Sequence, residues 1–240
     1  RARPDGARAI ALATWALGLI LAAFVLPPLL LLAKGSVTGS EGEITLRYFA
    51  RVFADQRLFE SFVNSMGFAV GSAAVALAFG GTIAWIVERT NAPLKGLAYL
   101  TTIIALGTPY VLYVSAWLFL LGRAGPINML WRQWTDSGDL LVNVYSLPGM
   151  IMVEGFLWSP LTFLLMGATL RNANPELEEA ARMSGASVWE TIRRITLRLS
   201  LPTLLALALL IFIRALEGFE VPALIGLPGH VNVLTTDIFL

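Results

Sequence analysis

Long apolar stretches alternate with short polar segments along the chain, and five of these stretches are long enough to cross a lipid bilayer. Each approaches the roughly 20 residues that a spanning helix needs. Leu, Ala, Ile and Val dominate them, and none has the strict alternation of a transmembrane β-strand. The pattern predicts an all-α, polytopic transmembrane helical bundle, with spans at about residues 14–33, 62–87, 97–121, 147–170 and 201–216.

Glycine and proline inside the spans indicate where helices meet and where they bend. Small residues let two helices approach closely in lipid, and the second span carries four of them, at Gly67, Gly71, Gly80 and Gly81. Proline cannot donate a helical hydrogen bond and clashes with the preceding turn. We therefore expect kinks or breaks in the third and fourth spans, at Pro109, Pro148 and Pro160.

The composition agrees with a membrane protein and excludes several other classes. Only 14% of the residues are charged, against about 25% in an average soluble domain. The net charge is +1 with no basic stripe, so we predict no nucleic-acid partner. The chain has no cysteine and a single histidine, His230, which leaves no histidine or thiolate cluster for a metal.

Lysine and arginine in the loops indicate the orientation of the spans. With a cytoplasmic N-terminus (1–13), the inside segments hold ten such residues and the longer outside segments hold six. The first apolar stretch exceeds the 7–15 residues of a signal-peptide core, so an uncleaved span is favoured over a signal peptide. Residues 171–199 are then cytoplasmic. The apolar end of the chain leads us to expect a C-terminal truncation, with a sixth span following.

The loop at 171–199 contains the start and stop signals of two helices. Asn174 followed by Pro175 is typical of a helix start. Gly185 suits the left-handed position that ends such a helix. Ser187 and Glu190 then have the spacing of a capping box, which predicts a second helix that leads into the fifth span. The first helix has few large apolar residues, so we expect a partner surface to complete it.

This loop resembles a motif of a known family. Glu179-Ala180-Ala181, then Gly185, then Ile195-Thr196-Leu197 is similar to the EAA loop of the permease subunits of bacterial binding-protein-dependent ABC importers. The family usually has proline directly after the Ile-x-Leu triplet, whereas this chain has Arg198. Residues 85–93 and 214–226 resemble segments of iron(III)-type permeases. The resemblance covers residues 46–240 and implies that residues 34–240 form the permease domain. It also suggests that this chain is the first half of a permease with two such halves in tandem.

The resemblance implies a set of partners and a site for one of them. The EAA loop of the family docks on a cytoplasmic ABC ATPase dimer; the corresponding residues here are Glu178, Glu179, Ala180, Ala181, Gly185, Ile195 and Leu197. It also implies a second permease half or subunit, a periplasmic or lipid-anchored substrate-binding protein, and the bacterial inner membrane. The chain has no Gly-x4-Gly-Lys-Ser/Thr phosphate loop, so ATP and Mg²⁺ belong to the partner ATPase and the chain needs no cofactor and has no catalytic residue.

Three carboxylates in or near the spans are candidate pathway residues. Charged groups at membrane depth are costly and are commonly functional, which directs attention to Glu154, Glu217 and Glu220. Glu217 could instead form a structural pair with Arg214, three residues earlier. Carboxylates would ease the passage of ferric iron, the cargo that the resemblance suggests. Polyamine, thiamine or sulfate are alternative cargoes. An intramembrane enzyme is less favoured because no catalytic motif occurs in the spans, and a channel is less favoured because it would not need a capped cytoplasmic docking loop.

Overall fold

A computed structural model describes residues 4–39, 42–136 and 138–239. Residues 1–3 of the predicted N-terminal segment, and Leu240, lie outside this part. The described residues form helices joined by turns, and their β-structure is limited to one isolated bridge between Thr38 and Ile44. The predicted all-α class is confirmed.

The helices, numbered in chain order, are α1 (Pro4–Val37), α2 (Arg47–Ala54), α3 (Gln56–Arg89), α4 (Lys95–Gly107), α5 (Tyr110–Leu121), α6 (Pro126–Thr135), α7 (Leu147–Asn172), α8 (Glu176–Met183), α9 (Val188–Leu199), α10 (Leu201–Glu217) and α11 (Leu234–Phe239). A π-helical turn, Ile192–Thr196, lies inside α9, and a π-helical turn and a 3₁₀ turn, Pro222–Gly226 and Leu227–Gly229, follow α10.

The chain divides into two compact units, residues 1–58 and residues 59–240. In the first unit, α1 is apolar and its side chains from residue 11 onward are almost all exposed. Within the described residues four helical segments are long and apolar enough to cross a membrane: Ala11–Val37, Gln56–Arg89, Tyr110–Thr135 and Leu147–Asn172. The bent pair α9–α10 makes a fifth if it counts as one span. The polytopic prediction is therefore confirmed.

Proline breaks one predicted span and leaves another continuous. The apolar stretch 97–121 is two helices, α4 and α5, separated at Thr108 and Pro109, whose backbones are extended. Pro148 stands in the first turn of α7, where its missing N–H costs no hydrogen bond. Pro160 lies inside α7 without ending it, so the predicted break there does not occur.

Helix α7 is the most buried of the apolar helices and organises the second unit. One core cluster gathers Phe68, Val114, Met150, Val153 and Ile225 from α3, α5, α7 and the π turn after α10. A second cluster packs the other end of α7 against α3, α4 and α10. Helix α7 thus brings together the segments that carry both candidate sites.

Close approach between α3 and α7 depends on specific glycines. A Cβ atom on Gly80 would lie 2.5 Å from the Ser159 carbonyl oxygen and 2.7 Å from the Thr162 Cβ atom. A Cβ atom on Gly71 would lie 2.8 Å from Ile151, whereas one on Gly81 would meet nothing within 4 Å. The predicted small-residue contact is therefore made by Gly71 and Gly80, and Gly81 is not part of it.

Replacing Gly80 by alanine is expected to separate α3 from α7 and to destabilise the protein by about 1–3 kcal/mol, the usual cost of overpacking. Gly81→Ala is the matched control, because its methyl group enters open space. The control should be neutral or slightly stabilising, since alanine favours helix more than glycine does. Thermal unfolding of the two variants in detergent measures the difference; equal stability would contradict the packing.

Candidate functional site

The first helix of the 171–199 loop starts where the sequence predicts. The Asn174 side chain accepts a hydrogen bond from the Glu176 N–H at 3.0 Å. Pro175 already has helical dihedral angles, with φ −70° and ψ −20°. Asn174 therefore acts as the cap and Pro175 as the first helical residue, and three glutamates in the first turn of α8 add favourable charge at its N-terminus.

A glycine corner ends this helix and turns the chain into the next one. Gly185 has φ +88°, a conformation that costs other residues about 1–2 kcal/mol. Its N–H donates to the Arg182 carbonyl at 3.0 Å, and the Ala186 N–H donates to the Ala181 carbonyl at 3.0 Å. These two bonds form a Schellman motif, which confirms the left-handed position predicted for Gly185.

The second helix has the predicted capping box. The Glu190 N–H donates to the Ser187 hydroxyl at 3.2 Å, and the Ser187 N–H donates to the Glu190 carboxylate at 3.1 Å. The helix then passes through the π turn Ile192–Thr196, a rare geometry that is frequent at functional sites. Between α9 and α10 the chain bends by 71°.

The bend lies at Ser200, and Arg198 is still helical. Pro202 stands in the first turn of α10, where proline is well tolerated. In the family pattern proline directly follows the Ile-x-Leu triplet, whereas here Arg198 takes that position and the proline, Pro202, lies in the helix after the bend. The loop and its corner keep their geometry.

A buried polar junction anchors the loop to the end of α3. The Arg89 Nε atom lies 3.2 Å from the Glu178 carboxylate, and both side chains are nearly buried, 11% and 13% exposed. Arg89 also donates to the Ala173 carbonyl at 3.2 Å, and the Thr196 hydroxyl donates to Glu178 at 3.0 Å. One carboxylate thus ties α3, α8 and α9 together. Neither Arg89 nor Thr196 is among the site residues predicted from the sequence.

A second polar cluster supports the same end of the molecule. The Tyr99 hydroxyl donates to the Glu88 carboxylate. Arg171 approaches the same carboxylate at 3.9 Å, and its guanidinium lies over the Tyr99 ring at 5.3 Å. These contacts join the ends of α3, α4 and α7 next to the start of the loop.

The remaining loop residues divide into an exposed face and a partly covered one. Glu179, Ala180 and Gly185 are exposed, and Glu179 makes no hydrogen bond or ion pair with any described residue. Leu177 and Met183 on the same helix are 52% and 84% exposed. Of the other residues predicted for this site, Leu197 is exposed, whereas Ala181 and Ile195 are half-buried. Helix α8 is therefore held from one side and open on the other.

The three candidate pathway carboxylates come together in one pocket. Glu154, Glu217 and Glu220 line a pocket of about 240 Å³ with Arg214 and Trp158. Glu154 is 3% exposed and accepts a hydrogen bond from the Trp158 indole N–H at 2.8 Å. Arg214 pairs with Glu217 at 3.5 Å, as the structural alternative predicted. Three carboxyl groups thus share this pocket with one guanidinium.

No metal cluster is found among the described His, Asp and Glu residues. His230 is exposed in the turn that follows the 3₁₀ segment. Tyr110 and Trp158 are not among the predicted site residues, yet both line the carboxylate pocket, with their rings 6.1 Å apart. An aromatic pair beside carboxylates is suited to a positively charged group.

Apolar helices of membrane length, together with a capped loop that an ion pair holds against α3, define a polytopic helical membrane protein. Residues 76–239 match the family described as binding-protein-dependent transport system inner membrane component, and the chain belongs to this family. The resemblance seen in the loop is confirmed.

Named relatives support this assignment. The chain is 28% identical over 179 residues to the inner membrane ABC transporter permease protein YdcU of Escherichia coli (strain K12), covering 69% of this chain and 56% of that protein. It is 28% identical to a putative 2-aminoethylphosphonate transport system permease, PhnU, of Salmonella typhimurium, over 92% of this chain and 77% of the relative. It is 25% identical to a putative ferric transport system permease, FbpB 1, of Haemophilus influenzae, over 82% of this chain and 29% of the relative.

A solved structure has the same fold. A bacterial alginate ABC transporter in complex with an alginate pentasaccharide-bound periplasmic protein matches with a TM-score of 0.75 and 19% identity. The match covers 98% of this chain and 84% of that one. The chain therefore shares the fold of the matched chain of that transporter.

Proposed function

We propose that this chain is the translocation subunit of an ABC importer and that the exposed face of α8 docks on a separate cytoplasmic ATPase dimer. One observation carries the proposal: α8 is anchored on one side by the Arg89–Glu178 pair and leaves Glu179, Ala180 and Met183 open on the other. A helix held in this way can transmit a push from a partner to α3 and α9. A loose loop would absorb the same movement.

The remaining partners follow from the same assignment. A second permease half or subunit would complete the pathway, and a periplasmic or lipid-anchored binding protein would deliver the cargo. The alginate transporter with its bound periplasmic protein supports this arrangement. ATP and Mg²⁺ would act in the ATPase partner. The N-terminus and the 171–199 loop would lie on the cytoplasmic side of the bacterial inner membrane.

We propose further that the cargo carries positive charge, with ferric iron as the first candidate. The pocket formed by Glu154, Glu217 and Glu220 has three carboxyl groups against one guanidinium, which suits a cation better than an anion. A polyamine or thiamine would suit the same pocket. Sulfate is an anion and therefore fits this pocket less well, although permeases with the same fold carry several kinds of cargo.

The docking proposal is tested by reversing one exposed charge. Glu179→Lys should leave the thermal stability of the permease unchanged, because Glu179 has no partner among the described residues. It should reduce co-purification of the co-expressed ATPase subunit, and ATP-driven uptake, by about ten-fold, as expected for one unfavourable charged contact of about 1.4 kcal/mol in an interface.

Glu60→Lys is the matched control. It makes the same charge change on an exposed position of α3, 29 residues from Arg89 and about 43 Å away along the helix axis. The control should retain ATPase binding. Normal ATPase stoichiometry and uptake in Glu179→Lys would contradict docking through this face.

A further inference from the structure

Helix α2 has one apolar face and one basic face. Successive residues of an α-helix are about 100° apart around its axis, so residues three or four apart share a face. This spacing places the four large apolar residues of α2 together, Tyr48, Phe49, Val52 and Phe53. Arg47 and Arg51 lie on the opposite face, with only alanine beside them. A helix with this division is typical of a membrane surface.

Both faces of α2 are open to the surroundings. Phe53 is 87% exposed, and the other three large apolar residues are each at least 40% exposed. Arg47 and Arg51 form no ion pair within the described residues. Exposed apolar side chains grouped on one face of a helix indicate a missing contact. The partner has to cover this apolar face and also balance two positive charges.

The connections of α2 keep it at the surface of the bilayer. The Thr45 N–H donates to the Val37 carbonyl at 2.8 Å, which returns the chain to the end of α1 just before α2 begins. Helix α1 is apolar and of membrane length, and α3, the next helix of that kind, starts at Gln56 directly after Asp55. Because α2 has eight residues and is about 12 Å long, it stays close to the ends of both.

Helix α2 is also separate from α3. The backbone of Asp55 is extended, with ψ 112°, and its carboxylate accepts a hydrogen bond from the Arg57 N–H at 2.9 Å. Asp55 therefore interrupts the helical path after α2 and caps the start of α3. This break lets α2 follow the plane of the membrane although α3 crosses it.

We propose that α2 lies in the membrane–water interface and binds anionic phospholipids. Its apolar face inserts at the boundary between headgroups and acyl chains. The polar layer of one leaflet is about 5–8 Å thick and a helix is about 10 Å across, so the opposite face lies at the level of the phosphates. There Arg47 and Arg51 bind phosphate oxygens, which a guanidinium contacts through paired hydrogen bonds. The bilayer is the partner because two helices of membrane length hold α2 beside it and its phosphates match the charge of α2.

The position of α2 is tested with spin labels, since the chain has no cysteine that would react in place of an introduced one. Phe49→Cys and Val52→Cys place a nitroxide on the apolar face, and Ala50→Cys and Ala54→Cys place it on the opposite face. The full permease complex, with cysteine-free partner subunits, is reconstituted in bilayers of phosphatidylcholine and phosphatidylglycerol.

Labels on the apolar face should collide more often with oxygen and less often with a water-soluble nickel chelate than labels on the opposite face. Equal access of the chelate to both faces would mean that α2 stands in water. Protection of the apolar face from both reagents would mean that a protein, such as the second permease half, covers it. Either result would overturn the proposal.

The preference for anionic lipid is tested with Arg51→Gln. A fluorophore on Ala54→Cys reports quenching by phosphatidylglycerol that carries a nitroxide on its acyl chain, mixed into phosphatidylcholine. Loss of one arginine should raise the phosphatidylglycerol fraction needed for half-maximal quenching by about five-fold, the effect of one basic residue at an anionic surface. Arg51→Lys keeps the charge and should retain the preference, whereas an unchanged preference in Arg51→Gln would contradict binding of anionic lipid. Neither measurement involves ATP or cargo, so its failure is distinct from a failure of the proposed docking.

Discussion

Replacing Glu178 by alanine is expected to destabilise the permease by about 3 kcal/mol, because it leaves the nearly buried Arg89 guanidinium without its counter-charge. The Thr196 hydroxyl loses its acceptor in the same step. The 171–199 loop should then detach from α3, with a lower unfolding temperature and faster proteolysis within the loop. Both are measurable on the permease alone, before any ATPase is added.

The neighbouring variant Glu179→Ala separates anchoring from docking. Glu179 is exposed and unpaired among the described residues, so its loss should leave unfolding temperature and proteolysis unchanged. A double-mutant cycle that combines Glu178→Ala with Arg89→Ala tests the ion pair itself. The loss in free energy of unfolding of the double variant should be much smaller than the sum of the two single losses. Additive effects would mean that Arg89 and Glu178 do not act as a pair.

Replacing Glu154 by glutamine is expected to reduce uptake of a cationic cargo by about 10- to 100-fold. Glutamine keeps the size of the side chain and an acceptor for the Trp158 indole, which lies 2.8 Å from the carboxylate. It removes the ionisable carboxyl group, and a hydrogen bond to a charged cargo contributes about 1.5–3 kcal/mol, which corresponds to this loss. Initial uptake rates of ferric iron, a polyamine and sulfate measure the effect and rank the cargoes.

Glu217→Gln is the control for position within the same pocket. Its carboxylate is already paired with Arg214 at 3.5 Å, and both side chains are more than half exposed, so the expected effect on uptake is smaller. ATPase binding and unfolding temperature should stay unchanged in both variants. Normal uptake by Glu154→Gln would remove this pocket from the pathway.

Local sequence signals were sufficient to predict where the two helices of the 171–199 loop start and where the first one ends. The cap at Asn174, the corner at Gly185 and the box of Ser187 with Glu190 each involve bonds between residues at most five apart. Such bonds depend on side-chain chemistry and backbone conformation within one turn. The break at Pro109 is equally local, because proline restricts its own backbone and that of the residue before it.

Only the packing of the helices decided which residues meet. Arg89 and Glu178 are 89 residues apart, and the loop motif marks just one of them. Glu154 and Glu220 were each predicted separately, as charged residues in or near a span. They share a pocket because α7 lies beside the turn after α10. Gly80 and Gly81 are adjacent and chemically identical, yet only Gly80 faces α7.

The sequence by itself therefore determined the class of the protein, its apolar helices and the two-helix loop with its corner at Gly185. These features follow from apolar length and from bonds within a turn. Tertiary structure decided how that loop is held, where the carboxylates gather and which glycine forms a contact. The physical reason is that each of these depends on the rotation and depth of one helix against another, which a linear pattern of residues does not specify.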